Sequence, residues 1–186
     1  MRLFVAVDPP PALKEAVRQL QGPMKKLAGG VSWTRGEGFH CTLKFLGEVP
    51  PEQLPAIQAA LAAMPRPAMF TLHLRRLGVF PNPSRPRVVW VGLDPLQPDL
   101  AALQRSTEAA LGPLGFPPEE RAFHPHLTLG RVKDSQGLHN LLKYIREESD
   151  RVDLGAFPVT HVTLFQSTLR PEGARYTALG DFPLQG

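Results

Sequence analysis

The segment HCTLKFLG at residues 40–47 and the segment HLTLGR at residues 126–131 both begin with the pattern His-x-Thr-Leu. The two histidines are 86 positions apart. The segments VAVDP at residues 5–9 and VGLDP at residues 91–95 are separated by the same 86 positions. Because two unrelated patterns share one offset, the chain is predicted to contain an internal duplication, and this duplication sets the predicted fold.

The hydrophobic patterns on both sides of these segments predict a similar order of elements in each half. In the first half, strands are predicted at residues 3–7, 31–34, 40–46 and 70–77, and helices at 11–27 and 52–64. In the second half, strands are predicted at residues 87–93, 126–132, 152–157, 160–167 and 175–181, and helices at 99–111 and 136–147. The strands that begin at Phe70 and Phe157 match at an offset of 87.

This element order predicts an α+β fold with two lobes related by a pseudo-twofold axis. The short connections favour antiparallel sheets, and the helices are expected to flank these sheets around a central cleft. We therefore predict a single bilobal domain over residues 1–186, with duplicated halves at approximately 1–84 and 85–186.

The composition is that of a globular protein. The chain has 186 residues, of which 42% are hydrophobic, so it can form a substantial core. Its single cysteine, Cys41, excludes an internal disulfide and a cysteine-based metal cluster. The apolar stretch at the N-terminus is too short for a signal peptide, so we expect a cytoplasmic protein without a membrane partner. We also expect a monomer. The net charge of +4 is consistent with a polyanionic ligand.

Strand geometry brings the polar residues of each motif together. Residues i and i+2 of a strand point to the same face, so His40 and Thr42 share one face, and His126 and Thr128 do the same in the second motif. The intervening residues point to the opposite, apolar face. If the lobes are related by a twofold axis, two imidazoles and two hydroxyls meet in one cleft.

This set of side chains suits the hydrolysis of a cyclic phosphodiester. The reaction needs a base for the attacking water and an acid for the departing ribose oxygen, and histidine can act as either near neutral pH. The threonine hydroxyls can stabilise charge on the phosphate oxygens. No zinc, magnesium or P-loop motif is found, so we expect no metal and no cofactor. These residues alone do not assign the acid and the base.

Four further residues are candidates for substrate contact. Lys44 shares strand parity with the first histidine, although a lysine near a strand end often only reaches solvent. Arg131 lies off the parity of the second histidine, and a strand end or a bulge after Gly130 is needed to direct it to the phosphate. Phe4 and Trp90, which are 86 positions apart, can stack a base or can simply pack in the core.

A third His-x-Thr pattern occurs at His161 and Thr163. This third pattern lies one strand after the second motif, outside the register of the duplication. The residue of the first half that corresponds to His161 is Leu74, which is not a histidine. We therefore interpret this third pattern as structural.

HCTLKFLG and HLTLGR resemble the two HxTx motifs of the 2H phosphoesterase superfamily. The chain is similar to the branch known as RNA 2′,3′-cyclic phosphodiesterases, once named 2′-5′ RNA ligases. RLFVAVDPP at residues 2–10, GVFPNPSRPRVVWVGL at residues 78–93 and the late set Ser167, Leu169 and Tyr176 also match. The resemblance covers essentially the whole chain.

The resemblance implies the bilobal fold, hydrolysis of RNA ends to a 2′-phosphate, and a weak, reversible ligase activity on tRNA-like fragments. It also implies that His40 is the proton donor and His126 the proton acceptor, with Thr42 and Thr128 beside them. The family keeps an arginine at the position of Arg131.

Two other functions remain open at this point. The same site can act on a nucleotide cyclic phosphate or on ADP-ribose cyclic phosphate, because the motifs read only the phosphate. A larger basic surface would favour RNA. The chain can also be an RNA-end-binding protein without activity, but binding alone does not require two proton-transfer groups.

Overall fold

The computed structural model describes residues 1–93, 95–171 and 173–186. Asp94, which belongs to the repeated segment VGLDP, lies outside the described residues. The strands are β1 Arg2–Val7, β2 Val31–Trp33, β3 Cys41–Glu48, β4 Phe70–Phe80, β5 Val88–Leu93, β6 His126–Val132, β7 Asp153–Val159, β8 His161–Arg170 and β9 Gly173–Pro183. The helices are α1 Pro11–Lys25, α2 Leu54–Ala63, α3 Pro98–Leu111 and α4 His139–Glu148.

The helices follow the apolar spacing that predicted them. In α1, Leu13, Val17 and Met24 are buried on one face, as a helical period requires. The largest difference from the prediction is the start of α4, which begins at His139 instead of residue 136. Gly137 has a φ of +71°, a conformation that interrupts a right-handed helix and favours glycine.

The strands form one nine-stranded sheet in the order β7-β4-β5-β6-β3-β1-β8-β9, with β2 paired to β6. All pairings between these strands are antiparallel, which confirms the predicted antiparallel sheets. The sheet divides into two lobes, β6-β5-β4-β7 and β3-β1-β8-β9. A single residue pair, Cys41 with Leu127, joins β3 to β6 at the middle.

The two lobes do not coincide with the two halves of the sequence. Strand β4 comes from the first half but lies between β5 and β7 of the second half, whereas β8 and β9 extend the sheet from β1. Phe157 does not begin a strand but lies inside β7, which pairs with β4. The offset of 87 instead relates β4 to β8, since Phe80 pairs with Val88 as Ser167 pairs with Arg2. By position in the lobes, the counterpart of β4 is β8.

The core lies on one face of the sheet. Buried residues from all four helices join the inward-facing residues of the strands in one hydrophobic cluster. The opposite face carries a smaller aromatic cluster of Phe4, Ala6 and Phe165, with Tyr176 against it. Within the described residues, no helix is long and apolar enough to cross a membrane.

Candidate active site

The pair that joins the lobes also orients both motifs. Cys41 and Leu127 are direct partners and both are fully buried in the core. The histidine and threonine on either side of each therefore point to the opposite, open face of the sheet. If the antiparallel register is continued by one residue in each direction, each histidine lies opposite the threonine of the other motif. The four predicted catalytic side chains thus share one face at the boundary between the lobes.

His40 lies in an enclosed, largely aromatic site. Only 7% of the residue is exposed. Its ring centroid lies 4.6 Å from that of Phe165, 4.8 Å from that of Tyr176 and 5.5 Å from that of Phe4. On its polar side, Nε2 lies 3.6 Å from Oδ1 of Asp8. The imidazole is thus held among rings, with one carboxylate within reach.

Burial strongly favours the neutral form of His40. Desolvation, together with the nearby charge of Lys14, lowers the pKa of His40 to about 3, against a smaller raising effect of a hydrogen bond with the backbone of Gly38. Lys14 also forms an ion pair with Asp8, with 2.6 Å between Nζ and Oδ1. Burial raises the pKa of Asp8, while Lys14 opposes this rise. In the unliganded protein, His40 is therefore neutral at pH 7.

His126 is half-buried, and its tautomer is set by the backbone. Its Nδ1 lies 2.7 Å from the carbonyl oxygen of His124, so Nδ1–H donates and Nε2 keeps its lone pair. Burial lowers the pKa of His126, the bond to His124 opposes this, and the charge of Arg131 lowers it further. Phe80 contacts the imidazole edge to face, with 4.9 Å between ring centroids.

Both imidazoles are held in the same way. His40 bonds the backbone of Gly38, and His126 bonds the backbone of His124, so the partner is two residues upstream in each case. The two partners are themselves 86 positions apart. The duplication therefore extends to the hydrogen bond that orients each ring.

A bulge in β3 turns Lys44 away from the open face. Thr42 and Lys44 pair with consecutive residues of β1, so Leu43 is an extra residue and the alternation of side chains changes there. Lys44 is 6% exposed and bonds Glu108 of α3 and the carbonyl oxygen of Pro117. The prediction that Lys44 shares the face of His40 is therefore wrong, because it assumed a regular strand.

A matching bulge in β6 has the opposite consequence for Arg131. Thr128 and Gly130 pair with consecutive residues of β5, so Leu129 is the extra residue. Arg131 then pairs with Val88, on the same face as Trp90 and Thr128. Its side chain is exposed on the open face, where the sequence predicted it to lie only if a strand end or a bulge occurred nearby.

The two aromatic candidates differ in access. Phe4 is only 4% exposed and stacks on Phe165, with 5.4 Å between ring centroids, so it offers no free ring face to a base. Trp90 is half-buried on the open face, 5.0 Å from Phe80 and 6.5 Å from His126 between ring centroids. Of the two, only Trp90 is partly open to a ligand.

Three residues beside the site were not singled out by strand parity. Asp8 is close to His40, and its only signal in the sequence is that VAVDP is repeated as VGLDP. Tyr176 comes from β9, far away in sequence. Phe45 takes the open-face position that Lys44 was predicted to occupy, because the bulge shifts the alternation by one residue; it is 63% exposed and its ring centroid lies 5.9 Å from that of Phe4.

The third His-x-Thr pattern lies on β8, and β1 separates it from β3. Thr163 is 2% exposed and its hydroxyl donates to Asp181 at 2.6 Å. His161 Nε2 lies 3.9 Å from the same carboxylate. These contacts join β8 to β9.

No group of three or more His, Cys, Asp or Glu side chains that could hold a metal ion occurs among residues 1–93, 95–171 and 173–186.

The sequence and the fold both match known proteins. The family model described as LigT-like phosphoesterase matches twice, at residues 7–90 and 91–176. A protein of Aeropyrum pernix named RNA 2′,3′-cyclic phosphodiesterase is 38% identical over 167 residues, which is 90% of each chain. A Methanocaldococcus jannaschii protein of the same name is 36% identical over 183 residues, 98% of this chain and 100% of the relative.

Among solved structures, TT0787 of Thermus thermophilus superposes with a TM-score of 0.81 at 30% identity and covers 100% of this chain and 99% of that chain. The E. coli LigT structure in complex with 3′-AMP gives a TM-score of 0.78 at 26% identity, with 100% and 98% coverage. The matches to the family model and to these relatives extend over most of the chain, and the protein belongs to the LigT-like phosphoesterase family.

Proposed function

We propose that this protein hydrolyses the 2′,3′-cyclic phosphate at the end of an RNA to a 2′-phosphomonoester, with His40 and His126 as its acid and base. The observation that carries the proposal is the single residue pair of Cys41 with Leu127, which joins the two motif strands. The histidine and threonine beside each of these buried residues point to the open face of the sheet. The names of the relatives support the choice of substrate.

In the proposed reaction, His126 accepts a proton from water as the water oxygen forms a bond to phosphorus. The bond between phosphorus and the ribose 3′-oxygen breaks, and His40 donates a proton to that oxygen. The phosphate remains on the 2′-oxygen. The hydroxyls of Thr42 and Thr128 donate hydrogen bonds to the phosphate oxygens that do not react, where negative charge develops.

The electrostatics suit His126 to the role of base. Because the pKa of His40 is lowered as well, the assignment of the two roles rests on the resemblance to the family. A base must be neutral before it reacts, and both burial and the charge of Arg131 lower the pKa of His126. The bond from Nδ1 to the carbonyl oxygen of His124 leaves the Nε2 lone pair as the proton acceptor.

His40 must gain a proton to act as the acid. Its pKa is about 3 without substrate, and an anionic phosphate beside the ring favours the imidazolium. We propose that this proton is taken up when the substrate binds. The carboxylate of Asp8, 3.6 Å from Nε2, can stabilise the charged ring, and we include Asp8 as a positioning residue.

The same geometry allows a weak, reversible ligation. If the 5′-hydroxyl of a second RNA takes the place of water, its oxygen forms the new bond to phosphorus and the 3′-oxygen again departs with a proton from His40. The product is a 2′-5′ phosphodiester. Its reversal uses the same two histidines with their roles exchanged, by microscopic reversibility.

We further propose that the protein acts as a cytoplasmic monomer without a metal, on RNA ends such as those of tRNA fragments. One chain supplies both motifs, so the site does not require a second copy. The single cysteine is buried and free, which suits a reducing compartment.

The test is turnover of a nucleoside 2′,3′-cyclic phosphate and of an RNA with the same end, in the presence of a chelator. Formation of the 2′-phosphate, and not the 3′-phosphate, is the expected result. Loss of activity with the chelator would contradict metal-independent chemistry. Binding without turnover would leave the RNA-end-binding function, and turnover of ADP-ribose cyclic phosphate alone would indicate the other class of substrate.

A further inference from the structure

A wide groove with a volume of about 770 Å³ opens beside His40. It is lined by β2 and the residues that follow it, by Arg131 of β6, and by the ends of β8 and β9 where they approach each other. Two of its lining residues belong to the surroundings of His40. Tyr176 contacts the imidazole ring at 4.8 Å between centroids, and Gly38 bonds it through the backbone. The groove therefore continues outward from the proposed catalytic site.

The charged side chains described in this groove are mainly cationic. Its lining residues with a positive charge are Lys25, Arg35, Arg131, Arg170 and Arg175. The described lining residue with a negative charge is Glu37. All six are exposed. A channel of this charge attracts a polyanion.

The groove also contains two aromatic side chains, Trp33 and Tyr176. Both are half-buried, so their rings are fixed by packing while part of their surface remains open. A positive channel with fixed aromatic rings is the usual construction of a site for single-stranded nucleic acid, because the rings stack on bases of any sequence.

We propose that this groove binds the nucleotides that precede the terminal cyclic phosphate, so that the enzyme prefers the end of an oligoribonucleotide to a cyclic mononucleotide. The inference rests on the proposed function. A 2′,3′-cyclic phosphate closes the 3′ end of an RNA, so the rest of the chain leaves the catalytic site in its 5′ direction. The lining of the groove offers that path Arg131, whose charge reaches His126, and Arg170 and Arg175, where β8 and β9 approach each other.

The test compares two substrates that share the terminal nucleotide, a nucleoside 2′,3′-cyclic phosphate and a single-stranded hexaribonucleotide with the same cyclic end. The double variant Arg170→Glu/Arg175→Glu reverses two charges of the groove, at the adjoining ends of β8 and β9. The matched control is Arg146→Glu/Arg151→Glu, which reverses two exposed charges at and just after the end of α4.

In the unchanged protein, kcat/KM is expected to be about ten-fold or more higher for the hexanucleotide, the effect of at least one base stack with its phosphate contacts. The groove variant should lose most of this ratio, and the control should keep it. The slope of log kcat/KM against log salt concentration for the hexanucleotide should become shallower by about 1.4 in the groove variant, because two contacts with a single strand contribute about 0.7 each.

Equal kcat/KM values for the two substrates would overturn the groove assignment and leave the proposed function intact. So would an equal loss of the hexanucleotide preference in the groove variant and in the control. No turnover of either substrate would refute the proposed function instead. If the charge reversal prevents folding, as judged by circular dichroism, Arg170→Gln/Arg175→Gln replaces it. A ratio that this variant leaves unchanged would likewise overturn the assignment.

Discussion

The two His-x-Thr strands have the same local sequence pattern but different surroundings. His40 is 7% exposed among Phe4, Phe165 and Tyr176, and its pKa is lowered to about 3. His126 is half-buried and exposed to the charge of Arg131. Each ring bonds the backbone two residues upstream. The orientation of the rings is thus repeated, whereas the dielectric and charge around them are not.

This difference shows how a duplicated motif can supply two unlike catalytic groups. An acid and a base need different protonation states at the same pH. Burial lowers both pKa values in the free protein, so this difference must arise when the substrate binds. The aromatic rings around His40 and the carboxylate of Asp8 belong to the first lobe. The cation beside His126, Arg131, belongs to the strand of the second motif. The four predictions that follow test whether this asymmetry determines the roles.

The largest effect is expected from removing either histidine. His40→Ala and His126→Ala should each lower kcat/KM by about 10²–10⁴-fold, the usual contribution of a proton-transfer group. A substrate in which sulfur replaces the 3′-oxygen should restore much of the activity of His40→Ala only, because a thiolate departs without a proton. The measurement is kcat/KM for both substrates in both variants. Rescue of His126→Ala instead would exchange the two roles.

Substrate binding should be accompanied by proton uptake. Both pKa values are lowered in the free protein, and a bound phosphate anion raises them. The limbs of the pH profile of kcat should therefore lie at higher pH than those of kcat/KM, which reports the free enzyme.

The proton uptake can be measured by titration calorimetry with 2′-AMP in buffers of different ionisation enthalpy. The uptake at pH 7 should approach one proton and should be lost in His40→Gln. Binding of 2′-AMP without proton uptake by the unchanged protein would contradict the proposed source of the acid.

The buried His40 should also make the protein less stable in acid. Because its folded pKa is about 3, below its unfolded value of about 6.5, its stabilising effect is complete above pH 6.5 and is lost as the pH falls towards 3. The slope is up to about 1.4 kcal/mol per pH unit.

The free energy of unfolding, measured with urea at pH 7 and at pH 5, should fall between these pH values in both proteins. The fall should be up to about 2 kcal/mol larger in the unchanged protein than in His40→Gln. Asp8 and His126 are present in both proteins, so their contributions to the pH dependence largely cancel in this comparison. An identical loss in the two proteins would show that His40 is not buried in its neutral form.

The smallest effect is expected at the third pattern. His161→Ala should change kcat/KM by less than about two-fold, because its imidazole is only partly buried and contacts Thr160 and Asp181, and only its charge reaches Asp8. Circular dichroism of the variant provides the control for folding. A loss comparable to that in His40→Ala would place His161 in the catalytic set and refute its structural interpretation.

Much of this site could be predicted from periodicity. Strand β6 has the predicted bounds His126–Val132, and the shared face of each histidine with its threonine needs only the two-residue period of a strand. Lys44 was misplaced because a bulge shifts that period by one residue, and a bulge depends on how two strands pair. The equivalent bulge in β6 brings Arg131 to the open face.

The sequence determined the local elements, the duplication and the pairing of each histidine with a threonine, since all of these follow from the order of residues along one strand or helix. Only the tertiary structure decided which strands form each lobe. Strand β4 joins the second lobe, and β8 and β9 join the first, because a strand pairs with whichever edge best buries its apolar face, whatever its distance along the chain. That exchange brings Phe165 and Tyr176 to His40. Their packing, and not the motif, makes the two histidines different.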